Sequence, residues 1–305
     1  MRKLELAYKD TGYFYKFVLD YLEEKEPLKS FYKYSVSLEA FKQVIDDKTK
    51  DGINRDLLVK VLESQNEEHT ANYSLVKENI KLLAKKNTFT ITTGHQLCIA
   101  GGPLYFIYKV ISVLKLCKTL EKEYPDNNFV PVFWLASEDH GEGEISKIHL
   151  FGNSFEWEHS EKGASGKRGT VPYSKIDSEL RELFKEDDQA QGILNIFTES
   201  YSGAKDLTHA TRSYLYKLFG EYGLVVIDGD DITLKGEFVS IMKEDLLNSS
   251  TKQKVSETIA RYGQNYKIQA NVREINLFYL GKHFRERIVK EGADYKVLNT
   301  SHHFS

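Results

Sequence analysis

The fold class of this chain is decided by residues 88–105, which read TFTITTGHQLCIAGGPLY. The first six residues are all β-branched or aromatic, which is typical of a buried strand. A glycine-containing loop follows over residues 94–102, and Pro103 suits the first turn of a helix, where its missing N–H group costs nothing. Apolar spacing then predicts a long helix over residues 104–123. The stretch therefore predicts a strand, a loop and a helix in direct succession.

Two further apolar strands follow this unit. Residues 129–135 read FVPVFWL, and residues 223–227 read GLVVI. Each run is short and is followed by polar residues, which favours a strand over a helix. A strand, a helix and a second strand in succession form a parallel crossover by default. The sequence therefore predicts an α/β fold with a Rossmann-like parallel sheet core, whose ligands would bind in one crevice beyond the carboxyl ends of the strands.

The rest of the chain is organised around this core. Apolar residues at helical spacing predict an N-terminal helical segment over residues 1–87, which we expect to pack on the core. The Rossmann-like core is predicted to extend over residues 88–300. Within it, residues 146–173 first alternate polar and apolar side chains and then become rich in glycine. This pattern predicts a small β-rich insertion.

Composition and charge argue against several classes of function. The formal net charge is −3 over 305 residues, whereas a dedicated nucleic-acid binder needs a basic face to neutralise phosphates. No apolar run approaches the roughly 18 residues of a membrane span, and no apolar signal core follows the first charged residues. The two cysteines, Cys98 and Cys117, lie in apolar stretches and form no CxxC motif. We therefore expect a cytoplasmic protein whose partners are small molecules, with no nucleic acid and no membrane among them.

The loop after the first strand contains candidate ligands for an anion. The candidates for contacting a phosphate or carboxylate are Gly94, His95, Gln96, Gly101, Gly102, Tyr105 and Lys109. Glycines between a strand and a helix let backbone N–H groups approach an anion, and the N-terminus of the helix favours negative charge. The spacing is neither GxGxxG nor the Walker pattern, so a tight connection with an incidental histidine stays open as the alternative.

The loop after the second strand is the sharper candidate for chemistry. Glu138, Asp139 and His140 directly follow the apolar strand. Such groups supply general acids and bases, metal ligands or ribose contacts, and adjacent carboxylates raise each other's proton affinity. Helix capping by Asp139, a hydrated acidic turn and a metal site that also uses His95 stay open as alternatives. No HExxH spacing supports the metal, so none is predicted.

The loop after the third strand reads DGDD over residues 228–231. Asp228 and Asp230 are candidates for binding a sugar or ribose hydroxyl, or Mg²⁺. Asp231 is predicted to cap the next helix, which leaves Asp228 as the better ligand candidate.

A basic segment at residues 162–168 reads KGASGKR. Its glycines and charges predict a mobile surface loop. Closure of this loop over an anionic substrate is the alternative interpretation.

Taken together, these loops resemble the BshC family of bacillithiol biosynthesis. The segments that carry the resemblance are residues 93–96, 102–105 with Tyr108 and Lys109, 130–134, 138–140, 223–228 and 273–279. They occur in the family's order, and the combination is specific although each segment alone is not. Residues 141–146 read GEGEIS, where the family usually has an aromatic residue and an asparagine, so one contact expected of the family is missing here.

The resemblance implies both a fold and a reaction. The fold is a Rossmann-type core related to nucleotidyltransferases and aminoacyl-tRNA synthetases, with a homodimer formed through a long helical coiled coil. The reaction joins the carboxyl group of cysteine to the amine of glucosaminyl-malate, the last step of bacillithiol biosynthesis. It requires an activated carboxylate. The related folds activate through a nucleotide, which makes ATP or ADP with Mg²⁺ the candidate cofactor, although the sequence itself does not establish one. Family members are considerably longer, which implies that this chain is C-terminally truncated and lacks the coiled coil.

The resemblance also implies roles for individual residues. His95, Glu138, Asp139 and His140 are the catalytic candidates, with Asp228 binding hydroxyl groups. Two other functions stay open. One is a metal-dependent hydrolase or a nucleotidyltransferase that uses the same crevice. The other is a nucleotide- or sugar-binding fragment without turnover.

Overall fold

The computed structural model describes residues 4–141, 146–157 and 163–305, which fall into two compact units. The first, here called the sheet unit, comprises the described parts of Gly52–Val239 together with Phe278–Glu286. The second, the terminal unit, comprises the described part of Met1–Asp51 together with Ser240–Leu277 and Arg287–Ser305. The division predicted from the sequence, at residue 88, stays a prediction.

The described residues form helices and strands in the following chain order. The helices are α1 (Lys16–Leu22), α2 (Glu26–Lys29), α3 (Ala40–Lys48), α4 (Arg55–Thr70), α5 (Ser74–Leu82), α6 (Leu104–Glu123), α7 (Tyr173–Leu183), α8 (Asp188–Tyr201), α9 (Leu207–Phe219), α10 (Ile232–Gly236), α11 (Val239–Asn248) and α12 (Ser250–Tyr262). The strands are β1 (Thr88–Gln96), β2 (Asn128–Ala136), β3 (Lys147–Leu150), β4 (Asn153–Glu156), β5 (Val225–Asp228), β6 (Phe278–Leu280), β7 (Arg285–Glu291), β8 (Asp294–Val297) and β9 (His303–Phe304). None of the described helices is long and apolar enough to cross a membrane.

A parallel sheet forms the centre of the sheet unit. Its strand order is β1-β2-β5, with β2 paired in parallel to both neighbours. Residues 129–133 are buried without interruption, because a central strand covered by helices has no face left for water. Helix α6 connects β1 to β2 and packs on both. The predicted α/β class and parallel sheet are thus confirmed.

Hydrogen bonds as well as apolar contacts hold β5 against its supporting helices. The buried hydroxyl of Tyr216 on α9 donates to Asn66 on α4 at 2.7 Å and accepts from the amide of Val226 at 3.3 Å. Asn79 on α5 donates to the carbonyl of Gly223 at 2.7 Å. Because a buried polar group without a partner costs about 1–3 kcal/mol, these bonds fix the helices to the strand at defined positions.

The predicted β-rich insertion is present as an antiparallel hairpin. Strands β3 and β4 pair from Lys147 with Glu156 to Leu150 with Asn153. Two residues with positive φ, Phe151 and Gly152, form the turn between them. Phe155 packs into the same hydrophobic core as the parallel sheet. The hairpin is therefore part of the sheet unit and not a separate module.

The terminal unit is built around a buried carboxylate. Asp20, only 2% exposed, accepts hydrogen bonds from Lys25 at 2.8 Å, from the hydroxyl of Tyr266 at 2.9 Å and from Lys16. Strand β8 pairs antiparallel with β7 and with β9. Asp245 accepts from the amide of Asn276 at 2.9 Å, which ties residues 273–277 to this unit.

Candidate active site

The register of the parallel sheet brings the three predicted loops to one edge. Residues His95, Leu135 and Asp228 lie side by side across β1, β2 and β5, so each strand ends at nearly the same level. Side chains then join the loops. Gln96 donates to Asp139 at 2.6 Å, and Ser137 donates to Asp228 at 2.5 Å. The loops after all three strands therefore form one connected polar region.

Gly94 is required by the close approach of β1 and β2. A Cβ atom at this position would lie 2.9 Å from the carbonyl oxygen of Trp134, so no other residue fits without moving the strands apart. Its own carbonyl accepts a hydrogen bond from Nζ of Lys109 at 2.6 Å. The lysine that the sequence placed near a phosphate or carboxylate thus lies against the end of β1.

The imidazole of His95 is held at both nitrogens. Nδ1 lies 2.8 Å from the carbonyl oxygen of Gln96, and Nε2 lies 2.8 Å from the hydroxyl of Tyr105. Since a carbonyl can only accept, Nδ1 carries a proton in this arrangement. Nε2 then accepts from Tyr105 when the ring is neutral and donates to it when the ring is protonated. Tyr105 therefore positions His95, a role that the sequence did not give it.

The glycine pair in the first loop forms a tight left-handed turn. Ala100, Gly101 and Gly102 have φ values of 46°, 79° and 64°, and a Cβ atom on Gly102 would lie 2.6 Å from Cβ of Cys98. Helix α6 begins directly afterwards, and Pro103 at its N-cap provides no side-chain hydrogen bond. The first N–H groups of α6 are thus left without a capping side chain, as in sites where a helix N-terminus binds an anion.

Asp139 is the ionised carboxylate of the second loop. Burial raises its pKa, but hydrogen bonds from Gln96 and from the amide of His140, at 2.6 and 2.7 Å, lower the pKa by more. The guanidinium of Arg285, 3.9 Å away, acts in the same direction. The net shift is downward, so Asp139 is a stable negative charge at neutral pH.

Glu138 has the opposite electrostatic environment. Burial raises the pKa of this carboxyl, and the nearby charges of Asp230 and Asp228 raise it further. Its Oε2 atom is buried and has no hydrogen-bond partner among the described residues. The two neighbouring carboxyl groups therefore differ in proton affinity, which is the usual arrangement for an acid beside a fixed charge.

His140 presents a buried lone pair. Nδ1 lies 2.8 Å from the carbonyl oxygen of Glu138 and must therefore carry the proton, which leaves Nε2 unprotonated in the neutral ring. Nε2 is buried and meets no hydrogen-bond partner in the part of the chain that the structure describes. Burial lowers the pKa of His140, so the neutral form dominates at pH 7. This side chain has the tautomer and the protonation state of a general base.

The basic segment that follows the hairpin is anchored to the second loop. The amide of Ser165 donates to the carbonyl of Asp139 at 2.7 Å, and that of Gly166 donates to the carbonyl of Ser137 at 2.9 Å. Ser165 and Arg168 are buried, at 0% and 2% exposure. The predicted mobile loop is thus wrong for residues 163–168, because backbone hydrogen bonds hold them in place. Lys162 lies outside the described residues.

The third loop is held from several sides. Oδ1 of Asp228 accepts from Ser137 and from the amide of Asp230, at 2.5 and 3.0 Å. Asp230 forms ion pairs with Lys235 and, at 3.6 Å, with Lys167. Asp231 accepts from the amides of Thr233 and Leu234 at 2.8 and 3.1 Å, which confirms it as the cap of α10. Asp228 is thus the acid of this loop that neither caps a helix nor forms an ion pair among the described residues.

Sequence reasoning missed several residues that build this region. Gln65 on α4 bonds to the backbone of Asp228 through both atoms of its side-chain amide. Its Oε1 accepts from the N–H of Asp228 at 2.8 Å, and its Nε2 donates to the carbonyl of Asp228 at 3.1 Å. Arg212 on α9 lines a cavity beside Asp228, and Arg285 approaches Asp139. Nothing in a single sequence marks these residues, because their side chains reach the site only through tertiary packing. Among the described residues, no group of three histidine, cysteine, aspartate or glutamate side chains is arranged to hold a metal ion.

Comparison with known proteins identifies relatives along the whole chain. The model of the family described as "Bacillithiol biosynthesis BshC, N-terminal Rossmann-like domain" matches residues 1–305. A candidate cysteine ligase, BshC, of Flavobacterium psychrophilum is 42% identical over 303 residues, which cover 98% of this chain and 57% of the relative. The equivalent protein of Cytophaga hutchinsonii is 38% identical over 304 residues, covering 99% and 56%. That of Bacillus cytotoxicus is 26% identical over 295 residues, covering 92% and 54%.

The chain thus spans just over half the length of these curated relatives. The matched family domain is Rossmann-like, in agreement with the parallel sheet and with the polar loops at its carboxyl edge. The chain belongs to the BshC family, over that family's N-terminal Rossmann-like domain.

Proposed function

We propose that this chain carries the catalytic core of a carbon–nitrogen ligase, which joins the carboxyl group of cysteine to the amine of glucosaminyl-malate in the last step of bacillithiol biosynthesis. Membership of the BshC family and relatives named as candidate cysteine ligases support the ligase class. The observation on which the proposal rests is the buried, unprotonated Nε2 atom of His140 beside the ionised Asp139.

The reaction requires a base of this kind. The amine of an amino sugar is largely protonated near neutral pH and is not nucleophilic in that form. His140 takes the proton at Nε2, and the freed nitrogen forms a C–N bond to the activated carbonyl carbon. The C–O bond to the leaving group breaks and its electron pair departs with oxygen, while the new amide nitrogen loses its second proton to solvent. The charge of Asp139 favours the imidazolium that results.

Glu138 supplies the opposite half of the proton transfer. Its raised pKa keeps a larger share of the carboxyl protonated than in a solvated glutamate. A protonated carboxyl can donate to the departing oxygen. Asp228 and Asp230, which raise that pKa, also provide carboxylate oxygens for the hydroxyl groups of the sugar.

A nucleotide is the proposed activating group, and the first loop fits a phosphate. The N-terminus of α6 lacks a capping side chain among the described residues, so its first N–H groups are available to a phosphate, and His95 bonds to Tyr105 in the first turn of this helix. When bound, ATP with Mg²⁺ would supply the energy to convert the carboxylate of cysteine into an acylating species. Gly94, Gln96 and Lys109 support this loop through the contacts described above.

The second candidate function is ligand binding without turnover. It is favoured by one observation, that the chain covers 57% of the Flavobacterium psychrophilum relative. The remaining part of such relatives would then supply what turnover needs, including the homodimer that we propose for a longer chain.

Mass spectrometry of the reaction mixture tests the proposal. The chain is incubated with cysteine, glucosaminyl-malate and ATP-Mg, and each component is omitted in turn. We expect the mass of bacillithiol only in the complete mixture. Product formed without ATP would contradict nucleotide activation, and substrate binding without product would favour the second candidate. Neither binding nor product would contradict both.

A further inference from the structure

A polar cavity lies next to the third loop, outside the proposed proton-transfer residues. Its volume is about 380 Å³, and the elements around it are α4, α9, α10's N-cap and the loops after β2 and β5. Every residue that lines it is polar or charged. Sites for aromatic or apolar ligands are lined mainly by apolar side chains, so this cavity suits a ligand with many hydroxyl and charged groups.

Arg212 is the unusual residue of this cavity. Its side chain is buried, with 6% exposure, and its Nε atom is buried without a hydrogen-bond partner. Within the described residues, the guanidinium makes no hydrogen bond, and no carboxylate oxygen lies within the 4.0 Å of an ion pair. Burial of an arginine is costly unless its charge is paired, so an arginine placed in this way is suited to an anionic ligand.

Two acids of the cavity, Asp206 and Asp228, form hydrogen bonds with residues other than Arg212. Asp206 accepts from the amide of His209 at 3.0 Å and lies 2.6 Å from Nδ1 of the same residue. Oδ1 of Asp228 accepts from Ser137 and from the amide of Asp230. These carboxylates attract Arg212 through the cavity, which partly offsets its burial, without contacting it. No described carboxylate thus pairs with the guanidinium, whose N–H groups can bind a ligand in the cavity.

We infer that Arg212 binds the malate carboxylate of glucosaminyl-malate, a subsite assignment that rests on the proposed function. A planar guanidinium matches a carboxylate with two parallel hydrogen bonds, which a lysine cannot provide. Asp228 and Glu68, which also line the cavity, accept from the sugar hydroxyl groups. The described lining has no aliphatic or carbocyclic aromatic side chain, and we assign the cavity to the sugar acid, with AMP as the probe that tests a nucleotide there instead.

Calorimetric titration of the 305-residue chain tests this assignment. The probes are L-malate, glucosamine, glucosaminyl-malate and AMP, each titrated into wild type, Arg212→Gln and Arg212→Lys. We expect Arg212→Gln to weaken both malate-containing probes about tenfold or more, and to change glucosamine affinity less than about twofold. Arg212→Lys should weaken the same two probes several-fold, because it keeps the charge and loses the paired geometry. Lys122→Gln, on the exposed face of α6, is the matched control and should bind as wild type does.

The outcomes separate this inference from the proposed function. If malate-containing probes bind equally well to wild type and to the folded variants, or do not bind wild type at all, the assignment is overturned. Binding of AMP that depends on Arg212 would overturn it too, since the cavity would then take a phosphate. The thermal transition of Arg212→Gln shows whether this variant folds. If it does not, the affinities of Arg212→Lys for the malate-containing probes test the assignment instead. Bacillithiol formed by Arg212→Lys with an unchanged KM for glucosaminyl-malate would refute the subsite and leave the ligase function intact.

Discussion

Replacing His140 by glutamine is expected to lower the rate of amide formation by about 10²- to 10⁴-fold, the usual contribution of a positioned general base. Glutamine keeps an amide N–H for the carbonyl of Glu138 but has no atom that accepts a proton at neutral pH. The Nε2 lone pair of His140 is buried without a partner among the described residues, so the substrate amine is the group to which we assign it. Single-turnover rates of bacillithiol formation, followed by mass spectrometry, measure the effect.

The pH dependence of kcat/KM provides a second test of His140 as the base. Burial lowers the pKa of His140 below its ordinary value of 6.5, and the proposed mechanism requires the neutral ring. In wild type, kcat/KM should therefore rise with pH while His140 loses its proton, and the midpoint of this limb should lie below the ordinary histidine pKa of 6.5. The limb disappears in His140→Gln, whereas any limb that belongs to the substrate amine persists in both proteins. His149→Gln, on the exposed hairpin strand β3, is the control and should keep the full rate. An unchanged rate in His140→Gln would contradict the role of His140 as the general base.

Replacing Gly166 by alanine is expected to destabilise the sheet unit by about 2–3 kcal/mol, the cost of overfilling a packed site. The added methyl group would lie 2.6 Å from Cβ of Ser137 and 2.8 Å from its carbonyl oxygen, and it would also overlap the hydroxyl of Thr208. The methyl group would be confined between the backbone of Ser137 and the buried side chain of Thr208, so it cannot be accommodated by a small movement of one flexible side chain. The amide of Gly166 would then lose its bond to Ser137, so the second loop should shift as well.

Gly192→Ala is the matched substitution for this measurement. Gly192 lies within α8, and no described atom beyond its chain neighbours and the backbone of its own helix lies within 4 Å of the position that its Cβ atom would take. Alanine there should stabilise the chain by about 0.5–1 kcal/mol, because it removes backbone freedom from the unfolded chain. Urea denaturation followed by circular dichroism compares the two variants with wild type. Equal midpoints for Gly166→Ala and wild type would show that the contact with Ser137 yields easily.

The strands of the core could be predicted because the pattern of apolar residues along each strand reflects which of its faces are buried. β2 and β5 are nearly continuous apolar runs, and the hairpin of β3 and β4 alternates as a half-exposed ribbon does. Strands β8 and β9 were not predicted. Residues 294–297 mix Asp294, Tyr295 and Lys296 with a single buried valine, and β9 has only two residues. Such short pairs are fixed by their neighbours and not by their own composition.

In the candidate site, likewise, only the residues with a local sequence signal could be predicted. Polar residues at the ends of parallel strands meet at one edge, which is why Gln96 and Asp139 could be expected near each other before their contact was known. Arg212 could not be found in this way. It occurs in a helix whose neighbouring aromatic residues predict core packing, and that prediction is confirmed for Tyr214 and Tyr216. Only the tertiary structure shows that this helix also directs a cation into a cavity.

The unequal connections within the parallel sheet have a consequence for the order in which the chain folds. The link from Gln96 to Asn128 is a single loop and helix, whereas the described part of the link from Ala136 to Val225 contains the hairpin and the helices α7, α8 and α9. Closing the longer link costs more chain entropy and gains only the four residues of β5. We therefore expect amides of β1 and β2 to gain protection before those of β5 in pulsed hydrogen exchange during refolding, and simultaneous protection would contradict this order. The contact between Gln96 and Asp139 would then form in a folding intermediate in which Asp228, the proposed sugar ligand, has not yet joined the sheet.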